Sequence, residues 1–317
     1  MYHRSKHERL RLFYCDHYDF PLAAGNKFPL PKYRLLRERL TTDRRVSLEP
    51  STMASREVLS RIHTLEYIDA FLTGTLDGAI MRRIGFLWSP QLVDRTLASV
   101  GGTLLATEAA LESGFGGTLA GGTHHAFRSE GAGFCVFNDI AVAIAGVQAE
   151  YEIERVAVVD LDVHQGDGTA AIFASDPRVF TLSVHGARNF PFRKQASVLD
   201  VDLQDSTDDD TYLGVLEPAL ARVWDFAPQL LFFQSGVDGL AGDRLGRLSL
   251  THGGLARRDA MVIEQANSLA IPLVITLGGG YADPIENTVS AHAQTFLKAA
   301  EVYCGQETLA QAQVPSR

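Results

Sequence analysis

Residues 160–167 read Asp-Leu-Asp-Val-His-Gln-Gly-Asp. Asp160, Asp162 and His164 follow an i, i+2, i+4 spacing. On a strand continuing from Val156 and Val158 they would share one face. Three titratable groups on an otherwise apolar face cannot all stay unpaired, since burying a lone charge costs roughly several kcal/mol. One resolution is a hydrogen-bonded polar knot at the strand end. The other is a metal. Asp162 offers an oxygen, His164 an imidazole nitrogen, and Asp238 a third ligand from further along the chain. Two carboxylates and one imidazole, with a position left open for water, suit a catalytic Zn2+ or Fe2+.

Metal-activated water needs a base, and a leaving amine needs an acid. Imidazole does both near neutral pH. His124 and His125 are adjacent and follow a Gly-Gly pair. Each needs a carboxylate to fix its tautomer and raise its basicity, and Asp160 and Asp167 are the spare carboxylates nearby. One catalytic and one structural histidine is the alternative. Tyr281 follows Gly278, Gly279 and Gly280. Glycines allow close approach to a ligand, and a phenol held there can donate to a developing oxyanion. The triplet also resembles a phosphate-binding turn, but neither GxGxxG nor GxxxxGK[ST] is present. Phe134 either lines a channel or belongs to the core. Asn138 or Asp139 caps the helix that follows. Cys135 reads as a small buried hydrophobe, because no nearby charge pattern favours a thiolate.

These groups need a frame that carries them to one place. RVAVVDLDV (155–163), VFTLSV (179–184), QLLFFQSG (229–236) and PLVITLGGG (272–280) are continuous apolar runs, as buried parallel strands should be; GTLAGG (117–122) is a weaker one. Helical patterns separate them. The segment 89–113 opens on Ser89-Pro90 and closes before Gly114; others run over roughly 139–150, 208–225, 252–269 and 284–303. Ser206 or Thr207, ahead of Asp208, Asp209 and Asp210, marks an acidic first turn. The alternation predicts a single-domain, three-layer αβα fold with a central, mainly parallel sheet. Ligands of such sheets sit beyond the carboxyl ends of the strands, and the candidate residues follow strand ends.

Length and composition agree. The chain has 317 residues, 46% hydrophobic and 21% charged, enough apolar side chain to exclude intrinsic disorder for most of it. Its formal charge of −9 lacks the basic footprint of a duplex-binding protein, so no nucleic-acid partner is expected. Cys15, Cys135 and Cys304 form no CxxC and no disulfide framework, which points to a reducing, cytoplasmic setting. The basic N-terminus lacks an apolar secretory core, and no run of about 18 apolar residues predicts a membrane helix. The catalytic domain is expected over 1–304 and a flexible polar tail over 305–317.

THHAFRSEGAGFCVFND, VVDLDVHQGDGT, GVDGLAGDRLG and LGGGYA, in this order, resemble the motif blocks of the histone deacetylase family, with its arginase–deacetylase fold. The blocks span about 95–285. GDRLGRLSLT and the short length are most similar to the class IV branch and its bacterial relatives. The resemblance implies zinc on Asp162, His164 and Asp238. It implies His125 as general base and acid, His124 as its electrostatic partner, Asp160 and Asp167 behind the two, and Tyr281 as oxyanion donor. Phe134 and Phe190 would wall an acyl-lysine tunnel, with Gly133 and Gly279 beside it. A potassium ion would sit on Asp160, Asp162, His164, Ser183 and Val184, and a weaker one near Phe173, Asp176 and Val179. Segment 84–95, IGFLWSPQLVDR, has no counterpart of the substrate-clamping Asp of class I, and no gatekeeper pattern of polyamine deacetylases is present. The implied activity is hydrolysis of acyl-lysine amides in proteins, acetyl and longer. An acylated small amine is the alternative substrate. Two readings are disfavoured: the intact site argues against a non-catalytic acyl-lysine binder, and the lack of further ligands argues against a two-manganese ureohydrolase.

Overall fold

The computed structural model describes residues 9–305. Its strands are β1 (Leu10–Tyr14), β2 (Val46–Pro50), β3 (Phe115–Thr118), β4 (Val156–Asp160), β5 (Val179–Gly186), β6 (Leu199–Leu203), β7 (Leu230–Gln234) and β8 (Leu273–Thr276). The helices are α1 (Pro31–Leu40), α2 (Arg56–Leu59), α3 (Leu65–Thr73), α4 (Gly78–Ile84), α5 (Pro90–Ser113), α6 (Asp139–Glu150), α7 (Asp167–Phe173), α8 (Asp209–Asp225), α9 (His252–Ser268) and α10 (Ile285–Cys304). All eight strands join one sheet in the order β2-β1-β3-β8-β7-β4-β5-β6, and every pairing is parallel.

The continuous apolar runs have a direct cause. Ala157, Val159, Leu231, Phe233, Leu273 and Ile275 enter one core, under α1, α8, α9 and α10. Val156, Val158, Leu230, Phe232 and Val274 enter the other, under α3, α5 and α6. Alternate residues face opposite layers, so a central strand has no polar face to display.

Caps set the helix ends. Ser89 accepts from the Leu92 amide and Gly114 closes α5 in the left-handed region. Asn138, not Asp139, caps α6 by accepting from the Ala141 amide. The acidic first turn of α8 is capped by Asp208 rather than Ser206 or Thr207. Two of those alternatives are spent elsewhere: Thr207 Oγ1 donates to the Gln204 carbonyl, and Ser206 has a positive φ.

β4 ends at Asp160, not at residue 163. The Leu161 amide makes the last bond to β7, at the Gln234 carbonyl. Beyond it carboxylates replace the ladder: the Asp162 amide donates to Asp160 Oδ1 at 3.1 Å, Val163 to Asp238 Oδ1 at 2.9 Å and His164 to Asp162 Oδ1 at 2.9 Å. Asp162 and His164 therefore lie on a loop, and strand alternation is not what aligns them. None of the three cysteines forms a disulfide. No helix among the described residues is long and apolar enough to cross a membrane. The tail expected from 305 lies, beyond Gly305, outside the described residues.

Candidate active site

The four central strands are neighbours, in the order β3-β8-β7-β4. The segments after their carboxyl ends carry His124 and His125, Tyr281, Asp238, and Asp162 with His164. Strands far apart in sequence thus deliver these groups to one edge of the sheet.

His164 Nδ1 lies 3.0 Å from Asp162 Oδ1 and 3.0 Å from Asp238 Oδ2. One donor atom from each residue falls within 4.8 Å of the others, and all three residues are buried. Donors about 2 Å from a tetrahedral ion stand roughly 3.3 Å apart, close to this spacing. Burial, then the neighbouring Asp162 charge, pushes the Asp238 carboxyl up to about 6. Burial also opposes ionisation of Asp162, but the His164 hydrogen bond and the His124 charge overcome it and hold its pKa well below the usual carboxylate range. Two buried carboxylates crowded on one imidazole fit a divalent cation.

The histidine pair is split by its surroundings. His124 Nδ1 is 2.6 Å from Asp160 Oδ2, and His125 Nδ1 is 2.7 Å from Asp167 Oδ1. Burial alone would lower the His124 pKa, but the Asp160 charge carries it up to about 9. Burial and the His124 charge lower His125 to about 4, against the pull of Asp167. At neutral pH His124 is the cation and His125 the free base. Their rings are 4.0 Å apart.

The His125 ring meets Phe190 edge-on at 4.8 Å, and Phe134 stands 6.1 Å from the Tyr281 ring. Phe134, Phe190, Tyr281, His125, His164 and Gly133 line one opening. A Cβ on Gly133, where φ is +53°, would come within 2.6 Å of the His125 ring and 3.2 Å of Phe190. Gly279 lines the same cavity as Phe134 and Tyr281, and it has a second task. Its amide donates to Asp162 Oδ2 at 2.5 Å, and a Cβ there would stand 1.8 Å from Asp238 Oδ2. Ser183 faces Asp160 across the β4–β5 pair, with Val184 next to it, and its hydroxyl pairs with His185 Nδ1 at 2.9 Å.

Several residues at the site were not singled out from sequence. Asp243 accepts from the Tyr281 amide at 2.6 Å and from the Leu245 and Gly246 amides. Its place in the GDRLG block was the available signal. Asp139, read from sequence only as a candidate helix cap, instead holds the turn before His124. Lys32 and Arg95 line the cavity beside Asp162 and His164, and nothing local marks either as buried.

An eight-stranded parallel sheet between helical layers, with acidic and histidine groups at its carboxyl edge, is the layout of the arginase–deacetylase fold. Residues 29–298 match the histone deacetylase domain, and the chain belongs to the histone deacetylase family. It is 43% identical over 297 residues to an uncharacterized protein of Picosynechococcus sp., covering 92% of this chain and 98% of that one. It is 38% identical over 200 residues to histone deacetylase 2 of Arabidopsis thaliana, covering 59% of this chain and 52% of that protein. Against histone deacetylase clr6 of Schizosaccharomyces pombe it is 32% identical over 253 residues, covering 72% of this chain and 60% of that one. The match thus spans little more than half the length of these two deacetylases. Membership supports a deacetylase-type hydrolase.

Proposed function

We propose that this protein is a zinc-dependent deacylase that hydrolyses the amide of acyl-lysine in proteins. One observation carries the reading: the Asp162–His164–Asp238 donor set and the neutral His125, backed by Asp167, converge where an aromatic opening meets the sheet edge. Zinc held by those three residues would polarise the amide carbonyl and acidify a water.

The remaining work falls to the chain's own side chains. His125 takes the proton of the attacking water as its oxygen adds to the carbonyl carbon. The Tyr281 phenol donates to the oxygen that gains charge. His124, held cationic by Asp160, favours the same charge build-up. As the C–N bond breaks, His125 passes its proton to the departing lysine amine. Phe134 and Phe190 flank the lysine butyl chain. The potassium ion at Asp160, Asp162, His164, Ser183 and Val184 belongs to this proposal, supported by the Asp160–Ser183 juxtaposition, and so does work in a reducing, cytoplasmic compartment.

A polyamine substrate is less well supported. The residues lining the opening include Arg188 and Arg247 and no carboxylate; the two share the single carboxylate of Asp205, so a polycation would meet a net like charge. The test is direct. The zinc-loaded protein should release acetate from an acetyl-lysine peptide faster than from acetylpolyamines. Asp162→Ala and His164→Ala should lose most bound metal by elemental analysis, together with activity. Full zinc occupancy in both variants would remove the metal assignment.

A further inference from the structure

Three Lys or Arg side chains are buried among the described residues: Lys32, Arg95 and Arg258. Arg258 pairs with Asp259 at 2.7 Å. Neither of the other two makes an ion pair among the described residues. Lys32 Nζ donates to the Gly278 carbonyl at 3.0 Å, and Arg95 Nη1 to Cys15 Sγ at 2.7 Å. The two cations sit near the same ring: Lys32 Nζ is 5.2 Å and Arg95 Cζ 4.5 Å from the centre of Tyr33. Buried charge is costly unless it is matched. The nearby acids are otherwise engaged. Asp16 holds Arg37. Asp139 accepts from Thr103, Gly122 and Thr123. Asp162 and Asp238 would have their charge balanced by a divalent ion.

Both cations line one cavity of about 90 Å³, which also reaches Asp162, His164 and Tyr281. Its wall includes Phe86, Leu92 and Arg95 from the 84–95 segment. An acetyl group carries no charge to answer two cations.

We propose that Lys32 and Arg95 form a carboxylate-binding subsite, and that the enzyme favours lysines whose acyl chain itself ends in a carboxylate, such as succinyl or glutaryl. This rests on the deacylase reading above. The reaction stays the same: water adds across the amide C–N bond, releasing the lysine amine and a dicarboxylate. The terminal carboxylate is bound and not changed. An ammonium and a guanidinium match it better than either alone, because the guanidinium can hold both oxygens.

The test uses zinc-loaded full-length protein and peptides with acetyl-, pentanoyl-, succinyl- and glutaryl-lysine, read by mass. Glutaryl should exceed its neutral isostere pentanoyl in kcat/KM by at least tenfold. Arg95→Met should abolish that ratio, and Arg95→Lys should keep part of it. Calorimetry supplies a readout apart from turnover: glutarate should bind the wild type at least tenfold tighter than pentanoate, and Arg95→Met should erase the difference. A wild-type ratio of one or below overturns the proposal. So does an Arg95→Met loss equal for all four acyl groups, which would assign the pair to the carboxylate that every deacylation releases. Acetyl-lysine hydrolysis is the control for the parent reading. Without turnover of any peptide that reading falls, and the calorimetric difference alone decides the subsite.

Discussion

Asp139 holds Thr123 twice. Its Oδ1 accepts from the Thr123 amide at 2.7 Å and from the Thr123 hydroxyl at 2.6 Å. Oδ2 takes the Gly122 amide and the Thr103 hydroxyl. One buried carboxylate at the start of α6 thus ties down the turn that presents His124 and His125. Asp139→Asn turns one acceptor into a donor facing donors. It should cost about 2–3 kcal/mol in denaturant unfolding and lower kcat while metal content stays full. Unchanged stability would mean that the turn holds itself.

Tyr281→Phe should lower kcat by roughly 10²–10³, as loss of one oxyanion donor does, with KM little changed. The backbone hold of Asp243 on residue 281 survives this substitution, because it uses the amide. Activity within about twofold of wild type would take the phenol out of the mechanism.

The base role proposed for His125 requires a neutral ring. With its pKa lowered to about 4 by burial and the His124 charge, kcat/KM should hold as pH falls from 7 and drop only as it nears 4. Asp167 opposes that lowering, so Asp167→Asn should move the acid limb to still lower pH. It should also slow the reaction by roughly 10–100-fold, since the orienting partner is lost and the base is weaker. A pH–rate profile with the limb unmoved or displaced upward would contradict this assignment.

His63 links acid to stability away from the Asp162–His164–Asp238 group. Its Nε2 accepts from the Asn138 amide at 3.0 Å, which only the neutral ring can do. Burial lowers its pKa to about 4, below the value near 6.5 of an unfolded chain. The unfolded state therefore takes the proton first. The contribution is whole above about pH 6.5, declines as pH falls toward 4, and reaches about 3 kcal/mol. His63→Gln should flatten unfolding free energy against pH over that interval. Parallel curves for the two proteins would refute it.

The residues before and after each strand made much of this site legible. Ser89-Pro90 and Gly114 bound α5, and α6 begins at Asp139 as its pattern implies, because caps and apolar periodicity act over a few residues. The donor types of Asp162, His164 and Asp238 and their place after strands are local facts too. Less was legible where context overrides pattern. β1, β2 and β6 carry weaker local signals: LRLFY has Arg11 among its apolar residues, VSLEP ends on proline, and LDVDL alternates as a strand with one wet face does. The apolar pattern runs three residues past the carboxyl end of β4, because Leu161 and Val163 continue it while Asp160, Asp162 and Asp238 take over the backbone amides. Only the strand order, which makes β3, β8, β7 and β4 neighbours, puts Tyr281 and the histidine pair beside Asp162, His164 and Asp238. The burial of Lys32 and Arg95 without carboxylate partners is likewise tertiary: Lys32 reaches the Gly278 carbonyl across 246 positions and Arg95 the Cys15 thiol across 80. The amino-acid order determined which groups exist and which local segments carry them. Which of them meet was decided by packing both faces of one sheet, since burying that apolar surface depends on contacts between segments distant in sequence.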